Sequence, residues 1–450
     1  MQKETTVRNQ YKIKRILWIF FLLLLIFTPI AVLIAGVSPS PDRSVWLDFS
    51  VGMGFIGLAL MAVQFALTAR LKWLKEPFGS DLIYHFHRQI SIAAFFLILA
   101  HPISLFLLDA RYLRLLNIFN APWRARFGVV SVILLILVVI SAEYRKKIKL
   151  PYDLWKFWHG ILTTLVAATA LVHIFLVGNY VSLPLIRMIW IVYSVSFIAL
   201  LSYTRVIYPL KLMRNPYEII ALEEERGDSW TMRLRSTKER SLHFQPGQFA
   251  WITAWKTPFS DSEHPFSIAS SSEKPEEIAF TIKDLGKFTS TVKTMQPGQI
   301  IYVDGAHGSF SMDRFPDAHK LVFIAGGIGI TPIMSMLRSM ADRGDTRPVK
   351  LFYNNRDWES VTFREEITAL EKKLNVEIIY TLEKPPQTWK GEKGYLTEDI
   401  LRKYLAPDWI EETTEIFMCG PQVMMSIVEK QCHHLGFHDS QIHYELFNFV

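Results

Sequence analysis

Four histidines stand inside apolar segments at a repeated interval. His87 and His101 lie in one segment and His159 and His173 in another, each pair 14 residues apart. An α-helix rises about 1.5 Å and turns about 100° per residue, so this interval is about 21 Å and nearly four whole turns. Each helix would carry two imidazoles on one face, near opposite sides of a hydrocarbon core about 30 Å thick. Two such helices facing each other offer two stacked bis-histidine sites. Imidazole on both axial faces saturates a haem iron, which favours electron transfer over ligand binding. Ionisable groups at membrane depth are functional by default. His85 is set apart, because it falls on nearly the opposite helix face from His101.

The elements that must hold these residues follow from hydropathy. The chain has 450 residues and is half apolar, but unevenly so. Residues 1–210 carry long hydrophobic runs, while 215–450 have the composition of a soluble α/β protein. Six spans, 16–36, 46–69, 82–108, 127–144, 155–178 and 184–208, approach the roughly 20 apolar residues of a membrane helix. A soluble helical core rarely runs this long without a polar face. The first span has the basic start of a secretory signal, but its apolar run is long and no A-x-A site follows, which predicts a retained helix.

Lysine and arginine set the orientation. Lys3, Arg8, Lys12, Lys14 and Arg15, then Arg70, Lys72, Lys75 and Arg88, then Arg145, Lys146, Lys147, Lys149 and Lys156 crowd one side. The other side has Arg43, Arg111, Arg114, Arg124, Arg126 and Arg187. Both termini are therefore expected in the cytoplasm, with the protein in a plasma (inner) membrane, His87 and His159 at inner depth and His101 and His173 at outer depth. Arg88 and Lys156, and Arg124 and Arg126, are candidates to neutralise haem propionates; headgroup snorkelling is the alternative for each. The net charge of +7 is mostly this inner collar, which suits anionic lipid rather than nucleic acid. The two cysteines, Cys419 and Cys432, build neither a disulfide frame nor a zinc site.

From Tyr217 the pattern changes to short alternating strands, a β-rich module to about Phe315 with strands near 230–234, 249–253 and 278–282. After Pro316, apolar runs at 321–325, 349–353, 376–380 and 415–419 alternate with helical stretches, which predicts βαβ units on a parallel sheet. The first of these strands leads into Gly326, Gly327, Ile328, Gly329, Ile330, Thr331 and Pro332. Glycines after a strand let backbone N–H groups approach a pyrophosphate at a helix start, where Pro332 suits the first turn. The next strand ends near Arg356 and Asp357. An arginine there accommodates a 2′-phosphate and an acidic residue a 2′-hydroxyl, so Arg356 favours NADPH while Asp357 keeps NADH open.

Over essentially its whole length the chain resembles the ferric reductase and NADPH oxidase superfamily. His264-Pro265-Phe266-Ser267, followed by Ser270 and Ser271, resembles the family's flavin motif. Gly286-Lys287-Phe288-Thr289, with Lys283 ahead of it, resembles the second flavin motif, where a helix start donates N–H groups to the pyrophosphate. Asp304-Gly305-Ala306-His307-Gly308 resembles the turn that closes the flavin domain. Gly327-x-Gly329-x-x-Pro332 resembles the ferredoxin-reductase-type nicotinamide motif, and Met418-Cys419-Gly420-Pro421 the segment that sets a cysteine near the nicotinamide ring. The family often ends on an aromatic that covers the flavin. Here Phe449 is one residue short of the end; it is the first candidate and Phe447 the second, with a core-packing tail strand as the alternative.

The resemblance implies a six-helix transmembrane bundle binding two b-type haems (16–208, after a cytoplasmic 1–15), a β-barrel FAD-binding domain (215–315) and an α/β nucleotide-binding domain of the ferredoxin-NADP reductase type (316–450). It implies electron flow from cytoplasmic NADPH, or NADH, through FAD and the two haems to an acceptor outside. Oxygen giving superoxide is the leading acceptor. A ferric chelate, or a partner protein or quinone, is the alternative.

Overall fold

A computed structural model describes residues 4–36, 44–69, 71, 80–178, 180–238, 241–254, 257–260, 262–405 and 407–445. The connection carrying Lys72 and Lys75, the residue Arg70, and the tail aromatics Phe447 and Phe449 lie outside them. The chain divides into two units, Met1–Tyr208 and Pro209–Val450.

In the first unit the helices are α1 (Glu4–Gly36), α2 (Val45–Thr68), α3 (Ser80–Leu108), α4 (Trp123–Tyr144), α5 (Tyr152–Val177) and α6 (Pro184–Ser202). A π-helical turn, Tyr203–Ile207, continues α6 into α7 (Tyr208–Met213). Among the described residues, six helices are long and apolar enough to cross a membrane. They leave large side chains such as Phe20, Phe96, Ile133 and Ile198 exposed, as lipid-facing residues require. Burying Leu against Leu gains nothing in hydrocarbon, so close helix approach there relies on small residues. Gly57 shows this on α2, where a Cβ would stand 2.6 Å from Ile98 of α3. Ser131 of α4 donates to the Val166 carbonyl of α5 at 3.1 Å. Trp190 of α6 is fully buried against Phe55 of α2, with ring centroids 5.1 Å apart.

The second unit begins with β1 (Tyr217–Glu225), β2 (Ser229–Ser236), β3 (Phe249–Ala254), β4 (His264–Ser267), β5 (Glu277–Lys283), the single turn α8 (Thr289–Val292) and β6 (Ile300–His307). The sheet order is β4-β3-β6-β1-β2-β5, with antiparallel pairs throughout. Its two ends meet where Ile268, just after β4, bridges Phe280 of β5. The curled sheet encloses Ile219, Met232, Leu234, Ile252 and Phe280.

There follow β7 (Lys320–Gly326), α9 (Ile330–Arg343), β8 (Val349–Asn355), α10 (Arg364–Glu371), β9 (Val376–Leu382), β10 (Glu392–Lys393), α11 (Glu398–Tyr404), β11 (Thr414–Cys419), α12 (Gln422–Leu435) and β12 (Ile442–Glu445). This sheet is parallel, ordered β10-β9-β8-β7-β11-β12. The order reverses between β7 and β11, and ligands of open α/β sheets bind beyond the strand ends at such a switch point.

The two sheets are joined by a polar stripe on α9. Ser335, Arg338, Ser339, Asp342 and Arg343 share one helix face by their spacing. Ser335 donates to the Ser270 carbonyl (2.7 Å), and Arg338 to the Ala269 carbonyl (2.6 Å). Ser339 meets the Ser272 N–H (2.9 Å), Asp342 takes Lys274 (3.0 Å), and Arg343 pairs with Glu273 (2.7 Å) and Asp313 (2.6 Å). Arg338 also holds Glu366 of α10 at 2.6 Å. Arg226 also reaches Glu365 and Glu359, each at 2.8 Å.

Arg338→Ala leaves the Ala269 carbonyl and Glu366 without their donor and is expected to destabilise this unit by about 1–3 kcal/mol, measured by denaturant unfolding of the full chain. The Arg226 guanidinium beside Glu365 holds that carboxyl at about 2, below its ordinary 4.5. A depressed carboxyl stabilises fully above its unfolded value and loses that contribution as pH falls through the folded one. The melting difference between the wild type and Glu365→Gln should be small, because the pair is exposed. It should be constant above pH 4.5 and vanish as pH approaches 2.

Candidate functional site

His101 and His173 are brought together. The His101 ring on α3 and the His173 ring on α5 have centroids 6.4 Å apart at an interplanar angle of 59°. Two imidazole nitrogens each about 2.0 Å from one shared metal would put the ring centres about 6.3 Å apart, so the pair fits bis-histidine ligation. His101 Nδ1 lies 2.9 Å from the Ser50 carbonyl oxygen, and His173 Nδ1 2.6 Å from that of Arg124. A carbonyl only accepts, so both Nδ1 atoms carry the proton and both Nε2 atoms keep a lone pair. Ser50 Oγ donates to the His101 carbonyl at 2.8 Å. The rings lie against glycine: a Cβ on Gly54 would stand 3.3 Å from His101 Cγ, and one on Gly128 2.9 Å from His173 Nδ1.

His87 and His159 are held differently. Their Nδ1 atoms are buried with no hydrogen-bond partner among the described residues. Ser91 and Thr163, each four residues on, donate to the carbonyls of His87 and His159 at 2.7 Å. The Trp155 ring packs on His159 with centroids 4.9 Å apart, and Arg145 lies over Trp155 at 5.5 Å. His85 is exposed, whereas His87 is half-buried.

The basic residues near these sites have other duties. Arg126 donates to the Ala121 (2.7 Å) and Phe119 (2.8 Å) carbonyls, which pins the turn ahead of α4. Arg88 lies 3.5 Å from Glu143. Arg124 serves through its main chain.

The flavin motif residues converge on one end of the curled sheet. His264 and Phe266 alternate along β4, and Phe288 stacks on both, at 4.0 Å and 6.0 Å. Ser267 is buried, and its hydroxyl has no partner among the described residues, as suits an anionic or polar ligand atom. Pro265 sits between them on the strand. Ser270 is committed to structure: its hydroxyl accepts the Ala279 N–H at 3.1 Å. Ser271 likewise accepts the Glu273 N–H at 3.2 Å. Lys283 closes β5, Lys287 is exposed, and a Cβ on Gly286 would meet open space. The expected helix start is a single turn, and Thr289 Oγ1 accepts the N–H groups of Leu285 (2.9 Å) and Gly286 (2.8 Å). Those two donors are therefore spent within the chain and not on a pyrophosphate.

The two nucleotide motifs meet at the switch point, because Ala325 of β7 is in register with Cys419 of β11. Only glycine fits where they touch: a Cβ on Gly329 would be 2.2 Å from the Cys419 carbonyl oxygen, and one on Gly326 2.8 Å from Pro421. Gly420 packs back on Gly326. Gly327, with φ +52°, faces open space. Ile330, Thr331 and Pro332 are buried, and the Thr331 hydroxyl donates to the Ile328 carbonyl at 2.7 Å. These side chains shape the turn and present only its backbone to a ligand. Cys419 is itself fully buried. Arg356 is exposed just past β8, whereas Asp357 accepts the Ser360 N–H at 2.9 Å and so stabilises its own turn.

Three contributors escaped the sequence reading: the Ser50 and Arg124 carbonyls, the Trp155 stack on His159, and the polar stripe of α9. A backbone carbonyl has no sequence signature. The stripe does, as a polar i, i+3, i+4, i+7, i+8 pattern.

Comparison with known proteins agrees with this arrangement. Residues 53–170 match the ferric reductase like transmembrane component, 218–299 an FAD-binding domain and 323–430 the oxidoreductase NAD-binding domain. The propane 2-monooxygenase reductase component of Mycolicibacterium goodii is 30% identical over 234 residues, 50% of this chain and 63% of that protein. The chain thus spans less than two thirds of that relative. Sulfhydrogenase 2 subunit gamma of Pyrococcus furiosus is 31% identical over 221 residues, 46% of this chain and 73% of that protein. A solved ferredoxin NADP+ reductase from Neisseria gonorrhoeae is 21% identical, with a TM-score of 0.44, over 51% of this chain and 97% of its own. The chain carries a ferric-reductase-like membrane component ahead of FAD-binding and oxidoreductase NAD-binding domains, which is the ferric reductase/NADPH oxidase-like architecture.

Proposed function

We propose that this chain moves electrons from cytoplasmic NADPH, by way of FAD and two stacked b-type haems, to an acceptor beyond His101 and His173, with both chain termini in the cytoplasm. The observation that carries the reading is the outer pair: two imidazoles at metal-bridging separation, each with its Nδ1–H already spent on a carbonyl. Bound FAD would turn a two-electron donor into single-electron deliveries, and bound haem iron would accept those electrons one at a time. His87 and His159 would hold the inner haem, and His101 and His173 the outer. His264, Phe266 and Phe288 offer aromatic surface for the flavin, and Ser267 a buried hydroxyl. The turn from Gly326 to Pro332 presents backbone to the NADPH pyrophosphate, and Gly420 and Pro421 border it. Phe449 stays our choice for the residue that covers the flavin.

Oxygen, reduced to superoxide, is the favoured acceptor. The connection between α3 and α4 is too short to shape an obvious ferric-chelate site, and its Arg111 is paired with Asp109 at 2.6 Å. Reduction of a partner protein is the second reading, because the propane 2-monooxygenase relative is described as a reductase component.

Purified protein should show a low-spin b-type spectrum with about two haems per chain. His87→Ala should lose one haem and His85→Ala none; the reverse would refute the assignment. Reconstituted with NADPH and FAD, the protein should reduce a probe in a dismutase-sensitive way. Reduction indifferent to dismutase and oxygen but dependent on ferric chelate would make it a metal reductase. Arg356→Ala should raise the KM for NADPH about tenfold or more, the worth of a charge-assisted hydrogen bond, and leave NADH unchanged; an unaltered ratio of the two would retire Arg356.

A further inference from the structure

The two outer histidines are held by the same local device on different helices. On α2 the acceptor is the Ser50 carbonyl and the glycine seat is Gly54; on α4 they are the Arg124 carbonyl and Gly128. The spacing is four residues in both cases. Residues four apart share a helix face, and the Cβ of the later one would overhang the carbonyl of the earlier. A helix carbonyl has a second lone pair beyond its intrahelical bond. Glycine at the fourth position opens a path for an imidazole to reach that lone pair. At Gly128 a Cβ would overlap the His173 ring outright, at 2.9 Å from Nδ1 and 3.1 Å from Cε1. Ser50 is fully buried and closes its contact from both directions, its carbonyl accepting from His101 and its hydroxyl donating back.

We infer that the Ser50 and Arg124 carbonyls, with Gly54 and Gly128, are positioning elements that preform the outer haem site alone, by fixing the tautomer and seat of His101 and His173. The inference rests on the two-haem reading. The inner histidines have no such acceptor among the described residues. Their rings are set by haem coordination itself and, for His159, by the Trp155 stack. The outer ligands are therefore oriented by the protein before haem binds, and the inner ones are not.

The test is ligand rescue. His101→Gly and His87→Gly are each titrated with imidazole and with 1-methylimidazole, following the low-spin haem absorbance and not turnover. 1-Methylimidazole ligates through its free nitrogen but has no N–H to donate. In His101→Gly it should bind about 10–100-fold more weakly than imidazole, the usual effect of losing an outer-shell partner. In His87→Gly the two ligands should bind alike. Equal ratios at the two sites overturn the inference. Should His101→Gly not fold, Gly54→Ala and Gly128→Ala serve. Each is expected to lower the haem content from two per chain to one, with the loss at the outer site. Two haems with an unshifted spectrum in both variants overturn the inference equally. A wild-type chain that takes up no haem refutes the two-haem reading instead.

Discussion

A neutral imidazole has one donor and one acceptor, and in hydrocarbon neither can be left to water. This constraint orders the packing around His101 and His173. The donor of His101 goes to the Ser50 carbonyl and that of His173 to the Arg124 carbonyl, so each ring keeps Nε2 as its acceptor, with the ring centres 6.4 Å apart. An N–H in lipid with no acceptor costs several kcal/mol, roughly, so the tautomer is held firmly. The neighbouring helix must then come close, which glycine allows. α2 meets α3 through Gly54 and Gly57, and α4 meets α5 through Gly128. The ligand geometry and the helix packing are one problem with one solution.

The soluble unit answers a different constraint. Its two sheets carry separate halves of a binding surface and must be kept in register. Apolar packing fills each sheet's own core, with Phe280 and Ile252 in one and Phe323 and Leu351 in the other. The joint between them is polar. The α9 stripe presents charge and hydroxyl groups to the carbonyls and acidic groups beyond β4, so the same helix whose first turn shapes the nucleotide loop also grips the flavin-side segment 269–274. Directional bonds fix orientation better than an apolar face, which would allow sliding.

Periodicity made the histidine helices legible, because His87, His101, His159 and His173 are polar exceptions in long apolar runs. The strands at 321–325 and 415–419 were equally plain, and their register explains why Gly329 and Cys419 meet. What stayed hidden was main-chain chemistry. Ser50 and Arg124 act through carbonyls that every residue possesses, and side-chain type says nothing of them. Motif similarity does not reveal how a turn is held: Thr289 Oγ1 accepts the N–H groups of Leu285 and Gly286, and Ile330 and Pro332 are buried. The two-residue strand β10 is too short for any alternation to be visible. The sequence leaves Arg126 open between a propionate partner and a snorkelling charge, and the Phe119 and Ala121 carbonyls that it bonds have no sequence signature.

The difference between the inner and outer pairs has a physical logic. A ligand whose Nδ1–H is bonded to a carbonyl is a stronger electron donor, because the bond shifts density toward Nε2. His101 and His173 have that bond, and among the described residues His87 and His159 do not. At the proposed outer haem the carbonyls would therefore favour the oxidised iron. At the inner site the contacts are an indole face on His159 and hydroxyls on the histidine carbonyls, Ser91 to His87 and Thr163 to His159. Those hydroxyl bonds act on the helix backbone and leave the imidazole donor strength unchanged. Under the proposed electron path, a more reducing outer site would help to give electrons away, and the Ser50 and Arg124 carbonyls would bias it in that direction without placing a net charge in the membrane.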